Sequence, residues 1–528
     1  MLFRSGRLDV VTSGGGYPEI DAQRFRGHPG QLFRNKEAFS FVAVGPAACV
    51  DMSRTYNSAI IAADYDNDGF TDFLVTGYGA LQWFHNQGDG TFESPEPFVD
   101  AAWSTSAAFF DADQDGDLDL YIVHYANWSF EHNPFCPSQE DAKRRDYCGP
   151  TDFVGLPDTM LENLGNGEFV VRNPEAMANL AMRGLGVIAA DLDGDRDTDL
   201  YVTNDVEPNL LFRNDGPFQW TELGRRAGVA TNDRGRAEGS MGVAIGDYNN
   251  DLKFDLWVTN YADEFCALYR GDGPMTFAYA TNAARIPATD ERAVGWGTAF
   301  GDLDLDGDED IVVLNGHLER YSSYHDQRPQ LLENSDGNRF ALAALDSEFF
   351  RTPQSGRGLA TADFDRDGLI DLVVSRIQAP CGIIRNESEP QGAFLEVRLV
   401  GTSSNRDAIG AVATLMIGEL ASDDTASDTR ASGDLKIGNS KWIRQIVGGG
   451  SYASTCDPAL HFGIPSRIAE QLKAGKKRSV GAPLLRIDWP SGKTTEHAVD
   501  ALDRQILIIE EDPNGPMSIP PIEINPAK

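Results

Sequence analysis

The sequence predicts an all-β fold: a seven-bladed β-propeller with acidic DxDxDG loops, followed by a small β-sandwich-like domain. Three observations predict it: six acidic stretches in one register, short apolar runs on both sides of each, and a Gly-turn hairpin after most of them. The stretches are DYDNDGFTDF (64–73), DADQDGDLDL (111–120), DLDGDRDTDL (191–200), DYNNDLKFDL (247–256), DLDLDGDEDI (302–311) and DFDRDGLIDL (363–372). Each carries Asp at position 1, Asp or Asn at 3, and Asp at 5 and 9. Gly fills position 6 in four of them. Arg196 stands there in the third, with Gly194 two places earlier, and Leu252 in the fourth.

The flanks decide the element type. Upstream lie IIAAD, VIAAD, VAIGD, TAFGD and LATAD, and downstream runs such as DLYVTN and DIVVLN. Both are short, largely apolar and bounded by loops, so the unit is strand, loop, strand. An EF-hand is excluded, since it needs a Glu at position 12 and flanking helices. Position 12 here is Val75, Ile122, Val202, Val258, Val313 and Val374. Tags such as WFHNQGDGTF, MLENLGNGEF and LLENSDGNRF follow, which predict a third strand, a turn with Gly at positive φ, and a fourth strand. The position-9 Asp residues lie 47, 80, 56, 55 and 61 residues apart, the period of a four-stranded propeller blade.

Carboxylates at positions 1, 3 and 5 of a tight loop converge on one point, which is hard-cation chemistry with oxygen ligands at Ca²⁺ spacing. The candidate metal ligands are Asp64, Asp66, Asp68 and Asp72; Asp111, Asp113, Asp115 and Asp119; Asp191, Asp193, Asp195 and Asp199; Asp247, Asn249, Asp251 and Asp255; Asp302, Asp304, Asp306 and Asp310; and Asp363, Asp365, Asp367 and Asp371. The expected cofactor is Ca²⁺ at about five to six sites. The loop at 247, with Asn249 and no Gly at position 6, leaves its own occupancy open. The alternative for all six is a set of solvated Asp-rich turns.

The chain opens MLFRSGRLDV. Gly6 and Asp9 fall in register with the motif, while Met1, Phe3 and Ser5 stand where ligands should be, and QLFRN (31–35) is a third-strand tag. This predicts a seventh blade that lacks its cation half and inner strand, leaving an unpaired edge at the seam of the ring. The expected remedy is chain upstream of Met1; the C-terminal tail is the alternative. A signal peptide is not visible.

Asp plus Glu outnumber Lys plus Arg by 81 to 45, for a net charge of -36. That excludes a nucleic-acid binder, which needs a basic face to displace counterions. No apolar run reaches the roughly 18 to 20 residues of a membrane helix. The long interval holds a polar, Pro-containing insert, 125–157, with Cys136 and Cys148. A disulfide between them would staple it and imply an oxidising compartment, with two reduced thiols as the alternative. Cys49, Cys266, Cys381 and Cys456 are left without an assigned pairing.

Repeat character ends near Pro390, so the propeller is assigned to 1–390. Strand-like FLEVRLVG, AVATLMIG, WIRQIVGGGSY, LLRIDWPSG and QILIIEE mark a separate β domain, 394–512. An acidic insertion (419–440) and a basic one (472–478) read as solvated loops, and the Pro-rich tail, 513–528, as extended or disordered.

Enzyme motifs are mostly absent. GLGVIA (184–189) mimics a dinucleotide fingerprint, but it leads into Asp191 without a helix and reads as a chance match. Polar residues beyond equivalent strands are the candidate ligand face: Asn204, Asp205, Glu207, Asn209, Arg236, Glu238, Asn260, Asn315 and His317. His317 is the best acid–base candidate among them. The alternative for this set is turn capping and hydrogen bonding between blades.

These residues carry a resemblance. The propeller resembles the FG-GAP/VCBS repeats of integrin α-chains and many secreted bacterial proteins. LEVRLVGTSSNRDAIGA, GGGSYASTCDPALHFGI and LRIDWPSGKT resemble the ASPIC/UnbV domain. With RDYCGP, NDVEPN and GRAEGSMGV, the chain is similar to the cartilage acidic protein family in its bacterial form. The resemblance implies a Ca²⁺-binding propeller that is secreted, periplasmic or on the cell surface, with adhesion or matrix-like roles. UnbV-type members also occur in natural-product biosynthesis, enediyne loci among them. Two functions follow: a recognition module holding a protein or glycan ligand on the propeller face, or an enzyme with a pocket there or at the domain junction. A broad polar face favours the first; a concave site with convergent His, Arg and Glu favours the second.

Overall fold

The structure is a computed structural model that describes residues 2–3, 7–37, 39–94, 102–165, 167–287, 292–335, 337–419, 438–473, 483–513 and 515–519. Met1, Ser5 and Gly6, and most of the two charged insertions and the tail, lie outside the described residues.

Among the described residues, seven antiparallel sheets form a ring. Blades two to seven begin with inner strands Tyr56–Ala63, Ser104–Phe110, Gly184–Ala190, Ser240–Gly246, Gly295–Gly301 and Gly356–Ala362. An acidic loop joins each to the next strand outward, which begins at the position-9 Asp. These strands are buried on both faces, which explains why they read as continuous apolar runs rather than alternating ones. Small residues let them converge at the centre. A Cβ on Gly242 would lie 2.1 Å from the Trp296 carbonyl oxygen of the next blade.

The first blade has strands Val10–Thr12, Gln31–Glu37 and Ser40–Ala43, and a two-residue ladder, Leu2–Phe3 with Arg7–Leu8, precedes them. Leu8 and Val10 pack with Phe364 of blade seven. The tag Asn closes the ring chemically. Asn163, Asn214, Asn334 and Asn386 each donate from Nδ2 to the position-2 carbonyl of the preceding blade, at 2.8–3.0 Å. Asn35 makes the same bond, 3.2 Å, to Phe364 of blade seven.

The C-terminal part is a sandwich of two four-stranded sheets. One holds Gly392–Val400 between Leu460–Pro465 and Arg504–Ile509, and the other holds Val412–Glu419 between Gly438–Gln445 and Leu484–Asp488. Of the tail, expected to be extended or disordered, Met517–Ile519 is extended and adds an edge strand to the first sheet. The expected strand WIRQIVGGGSY also differs, ending at Gln445. From there the chain leaves the sandwich and enters the propeller's central channel. Gly448 and Gly449 pair with Ala189 and Ile188 of blade four, and Gly448 also lies against Phe109 of blade three. Ser451 exchanges backbone hydrogen bonds with Val243 of blade five (3.0 and 2.6 Å), and its Oγ accepts the Thr298 N–H of blade six. Thr455 bonds Ile60 of blade two, and the Asp457 N–H reaches Thr361 of blade seven. Residues 446–457 thus form a plug that touches six blades.

The sandwich sits on the acidic-loop face, and one apolar core runs through blades two to four and the sandwich without a break. The position-6 residue of a loop is the usual contact. The Trp442 indole N–H donates to the Gly307 carbonyl (2.9 Å), and His461 Nε2 to that of Gly368 (2.7 Å). Arg196, at position 6 of the third loop, reaches Asp488, Thr494 and the Gly492 carbonyl of the sandwich. This is the gain that accompanies the lost Gly, since Arg196 holds φ +80°.

Candidate metal loops and a ligand cavity

All six loops adopt one conformation. The position-6 N–H donates to the position-1 carboxylate in every case, at 2.8–3.0 Å: residues 69, 116, 196, 252, 307 and 368 onto Asp64, Asp111, Asp191, Asp247, Asp302 and Asp363. Leu252 keeps this bond at φ +65°, so the 247 loop has the shape of the others despite Asn249. Position 4 is also left-handed throughout, at Asn67, Gln114, Gly194, Asn250, Leu305 and Arg366.

Carboxylate oxygens of Asp64, Asp66 and Asp72, of Asp111, Asp113 and Asp115, and of Asp191, Asp193 and Asp199 each gather within 4.8 Å of one another. Buried oxygens of Asp64, Asp72, Asp113, Asp193 and Asp365 have no hydrogen-bond donor. Burial and like-charged neighbours push Asp72, Asp119, Asp255, Asp302 and Asp371 up to about 8, and Asp310 and Asp363 up to about 9. Buried carboxylates without donors and with costly negative charge are what a bound dication would satisfy, and the donor set is all hard oxygen. Of positions 3 and 5, Asp66, Asp68, Asp113, Asp115 and Asp193 take part in such close groups, while Asp68, Asp115, Asp195 and Asp251 are exposed. Two neighbours qualify the set. His85 Nδ1 lies 3.2 Å from Asp66 and 3.3 Å from Asp72. Arg385 reaches Asp365 (2.8 Å) and Asp367 (3.2 Å), placing a fixed cation in the last loop.

Position 9 has a second task. One oxygen of Asp199 accepts the Asn214 N–H of the tag and the other the Leu192 N–H of its own loop, both at 2.9 Å. Asp119, Asp255, Asp310 and Asp371 repeat the pair. Asp9 accepts the Asn35 N–H at 2.7 Å, in register with them.

On the opposite face, Cys136 and Cys148 form a disulfide that staples the insert. The insert crosses from blade three to blade six, where Arg320 meets the Tyr147 hydroxyl (3.0 Å) and Gln139 meets Glu319 (2.6 Å). Beneath it lies a cavity of 2310 Å³ that continues down the channel beside the plug. Its walls are aromatic: Tyr56, Tyr78, Trp103, Tyr125, Trp128, Trp296 and Tyr452. Of the polar residues expected on a ligand face, Asp205 alone lines it, accepting the Tyr125 hydroxyl at 2.7 Å.

The other eight are engaged elsewhere. Asn204 donates to the Pro208 carbonyl, and Asn209 to Tyr201 and Ser240. Glu207 pairs with Arg183 at 3.0 Å. Glu238 accepts from Asn232 and Asn260, both at 2.8 Å, and Asn315 donates to the Arg328 carbonyl. Arg236 is exposed away from the cavity. His317 Nδ1 accepts the Glu319 N–H, and burial lowers its pKa. Apart from the exposed Arg236, they are spent on local hydrogen bonds and an ion pair at the strand ends. The residues that reach the cavity sit in another column, six places before each first Asp: Ser58, Thr105, Leu185, Met241, Trp296 and Arg357. Aligning the repeats on position 1 would have shown this column, because inner strands present alternate residues to the channel.

The FG-GAP-like repeat family matches residues 64–122 and 191–258. Cartilage acidic protein 1 of Xenopus tropicalis is 23% identical over 403 residues, 75% of this chain and 52% of that protein. The Homo sapiens protein is 24% identical over 404 residues, 75% of this chain and 51% of its own. The chain thus spans about half the length of the curated relatives it matches. An Agrocybe aegerita lectin, described as recognising non-reducing terminal N-acetylglucosamine, superposes with a TM-score of 0.42 at 14% identity, covering 71% of this chain and 94% of its own. The chain thus carries FG-GAP-like repeats and, over three quarters of its length, is similar to cartilage acidic protein 1.

Proposed function

We propose that this is a calcium-ordered recognition protein of the cell exterior, which holds its ligand on the face opposite the acidic loops. The observation that carries the calcium part is the set of buried, donor-less carboxylate oxygens repeated in equivalent loops. Asp at positions 1, 3, 5 and 9 would supply the ligands, and Ca²⁺ would supply only charge and coordination, fixing each loop between its strands. The sandwich covers the loop face, so the aromatic cavity under the insert is the surface left to meet a partner. The disulfide agrees with an oxidising exterior.

The test is thermal unfolding with and without chelator. With Ca²⁺ at 100-fold over its dissociation constant, each filled site contributes roughly 2.7 kcal/mol, so EDTA should lower Tm by many degrees. An unchanged Tm would sink the calcium reading. One observation favours catalysis instead: burial pushes Glu264, on the cavity wall, up to about 7, within the range of a general acid. Turnover of a polysaccharide that is lost in Glu264→Gln would establish it.

A further inference from the structure

We propose that the cavity binds an acidic oligosaccharide, with a sugar carboxylate held by Arg357 and the sugar rings lying on the aromatic walls. The proposal deepens the recognition reading above and rests on it.

Arg357 lies on the inner strand of blade seven, in the column that faces the channel. Its guanidinium sits 4.3 Å above the Trp296 ring. Nη1 donates to the carbonyls of Gly356 (2.6 Å) and Gly316 (3.3 Å) and to Ser355 Oγ (3.2 Å). Protein encloses it, and its accessible surface faces the cavity. Among the described residues no carboxylate pairs with it; the ionisable groups facing it are the phenols of Tyr452, Tyr147 and Tyr56 and the imidazole of His317. Other enclosed arginines are paired: Arg398 with Asp457 (2.6 Å), Arg183 with Glu207 (3.0 Å) and Arg444 with Glu309 (3.2 Å). In a chain of net charge -36, an enclosed arginine without a carboxylate stands out. Such a charge is costly alone, and a planar guanidinium is matched in shape by a carboxylate.

The walls narrow the ligand. Trp296 from an inner strand, Trp103 just ahead of the inner strand of blade three, Tyr125 and Trp128 from blade three and its insert, and Tyr452 from the plug present flat apolar faces. A pyranose ring has an apolar C–H face to lay on them and hydroxyls for Asp205 and Glu319, which also line the cavity. The chain's negative field opposes a polyanion, so the fit is one carboxylate among neutral sugars. An acidic peptide offers the same carboxylate but no hydroxylated ring.

The experiment is calorimetric titration of the full chain in Ca²⁺ with an aldobiouronate, glucuronate linked to one neutral sugar. Its carboxyl-reduced form and a capped Glu dipeptide are the controls. The expected result is saturable binding of the aldobiouronate, at least tenfold weaker binding of the reduced sugar and of the dipeptide, and at least tenfold loss in Arg357→Met. Tm of that variant should hold or rise, since the charge removed has no partner. Should it fail to fold, Arg357→Lys keeps the charge without the fork and is expected to bind several-fold more weakly. The proposal is overturned if the aldobiouronate does not bind, if its reduced form or the dipeptide binds as tightly, or if neither variant weakens binding. A protein that still responds to EDTA but binds no uronide loses this proposal alone. One that does neither loses the recognition reading as well.

Discussion

Asp199 is buried, and both of its oxygens are spent on backbone N–H groups. Removing the carboxyl strands two donors inside a strand junction. Asp199→Ala should therefore cost about 3 kcal/mol even in saturating Ca²⁺, measurable as a lower urea midpoint. The buried carboxylates of the acidic loops set the pH behaviour. With pKa values raised to about 8 or 9 in the metal-free fold against roughly 4 in the unfolded chain, the native state holds more protons across that range. Stability of the chelated protein should then fall as pH rises from about 4 to about 8. On the calcium reading, Ca²⁺ would bind the ionised form and compete with those protons, so the Tm gain on adding Ca²⁺ should grow over the same window. A thermal-shift pH series with EDTA and with Ca²⁺ reads both slopes. The shared register of Asp9 and the six acidic loops was legible because it repeats. The left-handed position 4 was not, because Asn67, Gln114, Leu305 and Arg366 have no residue type in common.

The plug is the element that sequence reasoning missed. WIRQIVGGGSY has the apolar start of a strand, and nothing local says that its second half pairs with a blade about 260 positions earlier. Its glycines carry the information. A Cβ on Gly448 would lie 2.0 Å from the Phe109 carbonyl oxygen, and one on Gly449 would lie 2.6 Å from that of Val187, with φ +70°. Gly448→Val should unseat the segment, lowering Tm and opening 446–457 to proteolysis; a variant as resistant as the parent would count against a seated plug. The insert was legible from its two cysteines, since a stapled local loop needs no distant partner.

In the whole molecule, the boundary near 390 divides the chain but not its core. Gly392 opens the sandwich, so the covalent division falls where the repeats end. The apolar core crosses that line, joining blades two to four to Trp442, Ile464 and Trp489. Residues 1–390 expressed alone should show exposed apolar surface by dye binding and unfold less cooperatively than the full chain. Co-expression with 391–528 should restore a sharp transition. Repeats made the ring legible in the sequence; the docking of sandwich on ring was not, since it uses scattered residues such as Arg196 and His461 with no periodic signal.

The cover over the loop face also imposes an order in time. Pro465 and Trp442 lie against Gly307, Phe394 against Gly368 and the Ser403 carbonyl against Gly116. An ion bound in the loops at 302 and 363 would have to arrive before the last quarter of the chain settles, or wait for it to lift. On the calcium reading proposed above, loading would be a step in biogenesis rather than a rapid equilibrium at the surface. Loss to a chelator should proceed at the rate at which the sandwich undocks, independent of chelator concentration once that is high.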